Sequence, residues 1–359
     1  MDDRVDERRG ELREAVELLS RLISIPRVSR QEAEAADMLE AQMQEWGIEV
    51  QRTGNNLWEV APHFDEALPT LLLNAHIDTV KPVSAWTRDP HNPLLTPEGV
   101  LYGLGSNDDG ASLVTLLLTY RRLRAAERDY NLVFVASAEE EVSGAGGIAS
   151  VLPLLPRIDV ALVGEPTCMQ PAIAEKGLMV LDVTEHGKAG HAARNEGDNA
   201  LYHAVDDIAW FRSYAFPKQT DLLGPVKMTV TIIQAGTQHN VIPDECVFTV
   251  DVRSNECYSN QDIYAQVCAS VKGEVKARSF RLNSSRIALD HPLTQRALQL
   301  GRKPFGSPTL SDQALMPFPS MKMGPGDSSR SHTADEYVRE DELLEALCLY
   351  DQLLTGLQL

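Results

Sequence analysis

Leu132-Val133-Phe134-Val135-Ala136-Ser137-Ala138-Glu139-Glu140-Glu141 is a short apolar run that ends abruptly in three acids. A run of four to eight apolar residues without alternation suits a strand buried on both faces, as in a parallel sheet covered by helices. Two further runs share the design: Leu71-Leu72-Leu73 leads into His76 and Asp78, and Val160-Ala161-Leu162-Val163 leads into Glu165. In an open α/β sheet the carboxyl ends of neighbouring strands converge on one crevice, so groups distant in sequence meet there. Acids gathered with imidazole in such a crevice point to divalent metal.

Working outward, Leu12, Ala15, Val16, Leu18, Leu19, Leu22 and Ile23 fall near helical spacing and predict a helix over 11–24, stopped by Pro26. A second helix is expected from Ser29 to Glu45, closed by Gly47, with strands near 48–52, 56–61 and 70–75. After the Gly-rich stretch Tyr102–Gly110, the run Ala111 to Leu123 reads as a buried helix, followed by strand 131–137, helix 144–152 and strand 159–163. This alternation predicts a mostly parallel, helix-covered sheet of the α/β class. From Lys176 to about 283 the pattern changes to alternating runs, such as Val226 to Ile233 and Cys246 to Val252, interrupted by helices near 198–213 and 259–272. That reads as a smaller α+β domain on an antiparallel sheet, 176–283, inserted into a first domain made of 1–175 and 284–359. A last helix near 339–355 is expected to pack back on the first domain.

Composition narrows the function. There are 52 Asp+Glu against 33 Lys+Arg, a formal net charge of -19, which disfavours nucleic acid and anionic membrane surfaces as partners. Ordinary solubility or a salt-rich cytosol both accommodate such a surplus. The five cysteines show no CxxC spacing, so they read as reduced cytosolic thiols rather than a zinc ribbon or disulfide framework. The charged start Met1-Asp2-Asp3-Arg4 lacks an apolar signal region, and nowhere do 18 apolar residues run together, so a cytoplasmic protein is expected.

The chemistry sits at the strand ends. His76 and Asp78 are two apart and point to one side, the arrangement in which a carboxylate orients a ligating imidazole. Asp108 and Asp109 precede the Ala111 helix after a glycine-rich turn, where one acid could bridge two cations while the other caps the helix. Adjacent Glu139, Glu140 and Glu141 repel one another unless cations compensate. His332, in Ser331-His332-Thr333-Ala334-Asp335-Glu336-Tyr337, adds a second imidazole.

Asn74-Ala75-His76-Ile77-Asp78, Gly103-Leu104-Gly105-Ser106-Asn107-Asp108-Asp109-Gly110, Ala138-Glu139-Glu140-Glu141, Gly164-Glu165-Pro166-Thr167, Gly190-His191-Ala192-Ala193 and His332-Thr333-Ala334-Asp335-Glu336-Tyr337 together resemble the acetylornithine deacetylase / succinyl-diaminopimelate desuccinylase family of two-zinc amidohydrolases. The resemblance is nearest to its N-acyl-ornithine and N-acyl-citrulline deacylases of arginine biosynthesis. It implies two Zn2+ per subunit, with cobalt or manganese as alternatives. Asp108 would bridge the ions, His76 and Glu165 complete one site, and Glu141 and His332 complete the other. Glu140 would be the general base and Asp78 the support of His76. A water shared by the ions would become the hydroxide nucleophile. The resemblance further implies a homodimer in which 176–283 serves as lid and dimerisation domain and His191 stabilises the oxyanion of the opposite subunit. Lys176, Asn240 and Arg253 match its substrate contacts, and Arg253 suits bidentate capture of an α-carboxylate. Two departures stand out: Asp109-Gly110 lacks the Lys often found before that Gly, and Asn195 stands where the family often has Pro. A succinyl-diaminopimelate desuccinylase, a dipeptidase or a carboxypeptidase of the same fold are the competing activities.

Overall fold

The computed structural model describes residues 2–194 and 196–359, so Asn195 lies outside the described residues. The chain divides into two compact units. The first comprises the chain up to Ile173, Ile287–Phe305 and Ser311–Leu359; the second comprises Ala174–Arg286 and Gly306–Leu310.

In the first unit the central sheet runs in the order Gln51–Thr53, Asn56–Val60, Asn131–Ser137, Thr70–His76, Val160–Val163, Ser320–Lys322, beyond which Lys322 pairs with Ala172. The four strands from Asn131–Ser137 to Ser320–Lys322 are parallel, and the edge strands Gln51–Thr53 and Asn56–Val60 are antiparallel. The apolar runs are buried on both faces. Leu71, Leu73, Leu132, Phe134 and Leu162 join the main core with helices Asp2–Ile23, Ala111–Leu123 and Glu340–Leu354. Leu72, Val133, Val135, Ala161 and Val163 face a second core with Ile148, Val151 and Met316. Each fully buried leucine contributes about 1.5–3 kcal/mol. A one-residue slip would exchange the two cores and turn His76, paired with Ser137, to the wrong side.

Three helix boundaries differ from the sequence reading. The first helix begins at Asp2, well before residue 11. The second starts at Ala33 rather than Ser29, because Ser29 N donates to Thr79 O and Val28 bridges Thr79. Instead of a helix over 144–152 there is one turn, Ile148–Val151, continued by a tighter turn at Leu152–Leu154. The glycines before it form a loop wrapped on Glu139: a Cβ at Gly144 or Gly146 would overlap that carboxylate.

The second unit is built on an antiparallel sheet in the order Lys227–Ala235, Glu245–Arg253, Met179–His186, Glu274–Ala277. Helices Ala200–Ser213 and Asn260–Cys268 supply Ala204, Phe211, Ile263 and Val267 to its core, against Leu181, Val183, Phe248 and Val250. Gly306–Leu310, expected in the first domain, belongs here, where Ser307 O accepts from Lys176 N at 3.2 Å. Among the described residues no helix is long and apolar enough to cross a membrane.

Candidate metal centre

His76 ends its strand almost wholly buried, with Nε2 3.2 Å from Asp108 Oδ1. Its Nδ1 lies 3.0 Å from the main-chain oxygen of Asp78. A carbonyl only accepts, so Nδ1 carries a proton, and Nε2, which faces Asp108, would ligate a metal once it gives up its own proton. Burial opposes a charge on His76, but hydrogen bonds to Asp108 and Asp78 outweigh it and hold the pKa well above the ordinary value.

The Asp78 carboxylate is 3.5 Å from His76 Nδ1, and its shorter hydrogen bonds go elsewhere. It accepts from Ser29 Oγ at 2.6 Å, Glu140 N at 3.0 Å and Glu141 N at 3.2 Å. The i, i+2 spacing therefore supports His76 chiefly through the Asp78 backbone, while the side chain fastens the acidic turn to the strand end. Burial resists ionisation of Asp78, but the hydrogen bond and charge of His76 prevail and lower its pKa.

Asp108 lies on a turn gripped by Glu336, whose Oε1 accepts from Asn107 N at 2.9 Å and Asp108 N at 2.8 Å, and whose Oε2 accepts from Gly105 N at 3.0 Å. Neither aspartate caps the following helix, which has no side-chain cap. Asp109 instead accepts from His76 N at 3.3 Å, and burial pushes its carboxyl up to about 7.

Two sets of donors reach metal-binding spacing, each with one atom per residue and all within 4.8 Å: His76, Glu140 and Glu165, and His76, Asp108 and Glu141. His332 Nε2 is 2.9 Å from Glu141 Oε2 and 3.6 Å from Asp108 Oδ2. Asp108 thus stands between the two imidazoles, as a bridge requires. Glu140 has the reach of a donor as well as of a base, since it lies 4.0 Å from His76 Nε2. Burial pushes the carboxyls of Glu140 and Glu165 well above the carboxylate range. The hydrogen bond to Glu141 raises His332 to about 9. Glu141 Oε1 is buried with no hydrogen-bond partner among the described residues. A crowd of largely buried carboxylate oxygens with one buried imidazole, His76, and one half-exposed imidazole, His332, and with an oxygen left unsatisfied, fits divalent cations.

The remaining expected residues belong to the second unit. His191 pairs with Val241 and accepts from Ala193 N at 3.1 Å through Nδ1, and Asn240 O accepts from Ala192 N at 3.1 Å, so His191 and Asn240 share one loop cluster. Lys176 Nζ donates to Pro225 O at 2.9 Å. Burial, with the charges of Lys227 and Arg253, lowers the Lys176 pKa against the pull of Glu256. Arg253 is engaged by Asp251 at 2.9 and 3.2 Å. Sequence reasoning missed Ser29 and the role of Glu336; an acid four residues after His332 was the available signal for the latter.

Residues 72–356 match Peptidase family M20/M25/M40, and the chain belongs to that family. It is accordingly a metal-dependent hydrolase. A succinyl-diaminopimelate desuccinylase of Stenotrophomonas maltophilia is 27% identical over 374 residues, covering 95% of this chain and 98% of the relative. Among solved structures, a Staphylococcus aureus tripeptidase superposes with a TM-score of 0.73 at 19% identity over 96% of this chain and 97% of its own. The Bacillus subtilis YXEP protein, a dinuclear metal-binding peptidase of the M20 family, gives 0.72 at 18% identity, covering 96% of this chain and 98% of its own. These structural likenesses concern the fold.

Proposed function

We propose that this protein cleaves the amide of an N-acyl amino acid, N-acetyl- or N-succinyl-ornithine or -citrulline, in arginine biosynthesis, with His76, Asp108, Glu141, Glu165 and His332 holding two zinc ions. The observation that carries the reading is the convergence of these groups and Glu140 where three parallel strands end. Bound there, the ions would supply Lewis acidity to the amide carbonyl and to an attacking water. Glu140 takes a proton from that water on a carboxylate oxygen and returns it to the leaving nitrogen. The C–O bond forms at the acyl carbon and the C–N bond breaks, releasing a carboxylate and an amine. Asp78, through the Glu140 N–H, fixes the main chain that aims this base.

Substrate recognition falls to the second unit in this reading. Arg253 would exchange Asp251 for a substrate carboxylate, Lys176 and Asn240 would add further substrate contacts, and His191 would donate to the oxyanion of the partner subunit's reaction. A homodimer is supported by the edge strand Lys227–Ala235, where Ile232 is 51% and Ile233 47% exposed. An open edge with apolar side chains is suited to pairing with its own copy. The reading places the protein in the cytoplasm.

A second reading, hydrolysis of N-succinyl-diaminopimelate, is favoured by the desuccinylase relative. The test is amine release from a panel of N-acetyl- and N-succinyl-ornithine, -citrulline and -diaminopimelate beside free dipeptides. Preference for a blocked ornithine or citrulline supports the first reading. Preference for the diaminopimelate supports the second, and turnover confined to free dipeptides overturns both.

A further inference from the structure

Arg27 is a large cation buried to 1% exposure. Its hydrogen bonds converge on main-chain carbonyls from three segments: Nη1 donates to Ile77 O at 2.9 Å, Nη2 to Gly105 O at 2.9 Å and Nε to Leu22 O at 3.4 Å. Its own carbonyl accepts from Thr79 N at 2.9 Å, and the next residue bridges Thr79 in parallel. Residues 27–29 therefore run along residues 77–79 while the side chain passes to the Gly105 turn.

The targets decide what this contact does. Ile77 lies between His76 and Asp78, and Gly105 opens the turn that carries Asp108. Gly105 is gripped from both sides, its N–H by Glu336 and its carbonyl by Arg27. Its φ of +71° suits glycine, and an added Cβ would overlap Arg27 Nη2 and Thr79 Cγ2, so there is no slack in the fit. Burying an unpaired guanidinium is costly. Burial pulls the Arg27 pKa down to about 10, against the opposing charges of Glu336, Asp78, Asp109 and Asp108. The cation stays there through the main-chain carbonyls it bonds and the acids around it, so its removal would be felt at both of the segments it joins.

We propose that Arg27 is a positioning residue of the metal centre: its planar fork fixes the spacing between the His76 strand end and the Asp108 turn, and so sets the geometry in which the two ligands meet an ion. The proposal rests on the assignment of His76 and Asp108 as ligands. A lysine keeps the charge but has a single nitrogen, which cannot hold the Ile77 and Gly105 carbonyls in the same rigid geometry.

The test compares full-length Arg27→Lys, Arg27→Met and Asp108→Ala with the parent. Zinc affinity is measured by competition with a chelator, the visible spectrum after cobalt loading, Tm in excess chelator, and kcat and KM separately. Arg27→Met is expected to weaken zinc binding about 10- to 100-fold and to alter the cobalt spectrum, as loss of groups that orient metal ligands does. Its kcat should fall while KM stays within about two-fold. Arg27→Lys should fold and fall between parent and Arg27→Met in each measurement, which keeps the test open if the methionine variant does not fold. A lowered chelator Tm with parental zinc affinity and cobalt spectrum in Arg27→Lys would overturn the proposal and leave Arg27 a fold-stabilising residue. Retention of both ions by Asp108→Ala would instead overturn the ligand assignment, and the proposal with it.

Discussion

Asp78 holds the acidic turn by its backbone: one carboxylate oxygen accepts from Glu140 N at 3.0 Å and the other from Glu141 N at 3.2 Å. The proposed base and a proposed ligand, neighbours in sequence, are thereby presented together. Asp78→Ala should strand two N–H groups at about 1–3 kcal/mol each where they stay dry. We expect kcat to fall at least 100-fold and metal content to drop below two per chain, whereas Asp78→Asn should retain one of the two contacts and lie between. Elemental analysis beside steady-state kinetics checks this. Parental kcat in Asp78→Ala would remove the residue from the machinery.

Glu140 and Glu141 separate by substitution with glutamine. Glu140→Gln keeps the shape but cannot accept a proton, so turnover should fall about 100-fold or more with metal content near two. Glu141→Gln should lose metal, because Glu141 contacts His332 at 2.9 Å. Metal loss in Glu140→Gln with retention in Glu141→Gln would reverse the two roles, an outcome made meaningful by the reach of Glu140 to His76 and Glu165.

A pH effect is expected from the second unit. Burial, with the hydrogen bond and charge of neighbouring Asp207, pushes Glu185 up to about 7, while Asp207 accepts from Lys272 N and Gly273 N at 2.9 and 3.0 Å. The folded state keeps the Glu185 proton to a higher pH than the unfolded state, whose pKa is near the ordinary 4.5. Stability from this pair is full below about 4.5 and is lost as pH rises through about 7. Glu185→Gln supplies a permanent donor. Its Tm should therefore gain on the parent between pH 5 and pH 8, and parallel Tm curves would refute the shared proton.

If His191 acts across a dimer, an inactive Glu140→Gln dimer mixed with an inactive His191→Ala dimer should recover part of the activity, because one mixed site receives both intact residues. Brief mild denaturant permits exchange. Demonstrated exchange without recovery would confine His191 to its own chain.

Much of the first unit was legible because its strands are apolar on both faces and end in chemistry: Leu72 and Leu73 serve different cores, yet both belong to one uninterrupted run. The gathering of His76, Asp108, Glu140, Glu141 and Glu165 at metal-binding spacing was legible for the same reason. Local spacing could not reveal contacts made by main-chain atoms. Asp78 beside His76 read as a side-chain partner, while the carboxylate went to N–H groups 62 and 63 residues away. Arg27 carried no signal either, since an arginine after a helix reads as surface until the carbonyls it meets, Ile77 and Gly105, are known. The wrapping of Gly144 and Gly146 on Glu139 likewise replaced an expected helix by a contact between a loop and a half-buried acid.

Strand order has a consequence for synthesis. Ser320–Lys322 lies inside the central sheet, pairing with Val160–Val163 on one side and with Ala172 on the other, yet it is the last of these strands to leave the ribosome. A nascent chain has made the whole of Ala174–Arg286 before that gap can close, and His332 follows later still. Closing the sheet is thus a long-range insertion between strands already made. Metal capture by His332 would report a completed chain, and truncations that remove Ser320–Lys322 would leave two strand edges open to pairing with other molecules.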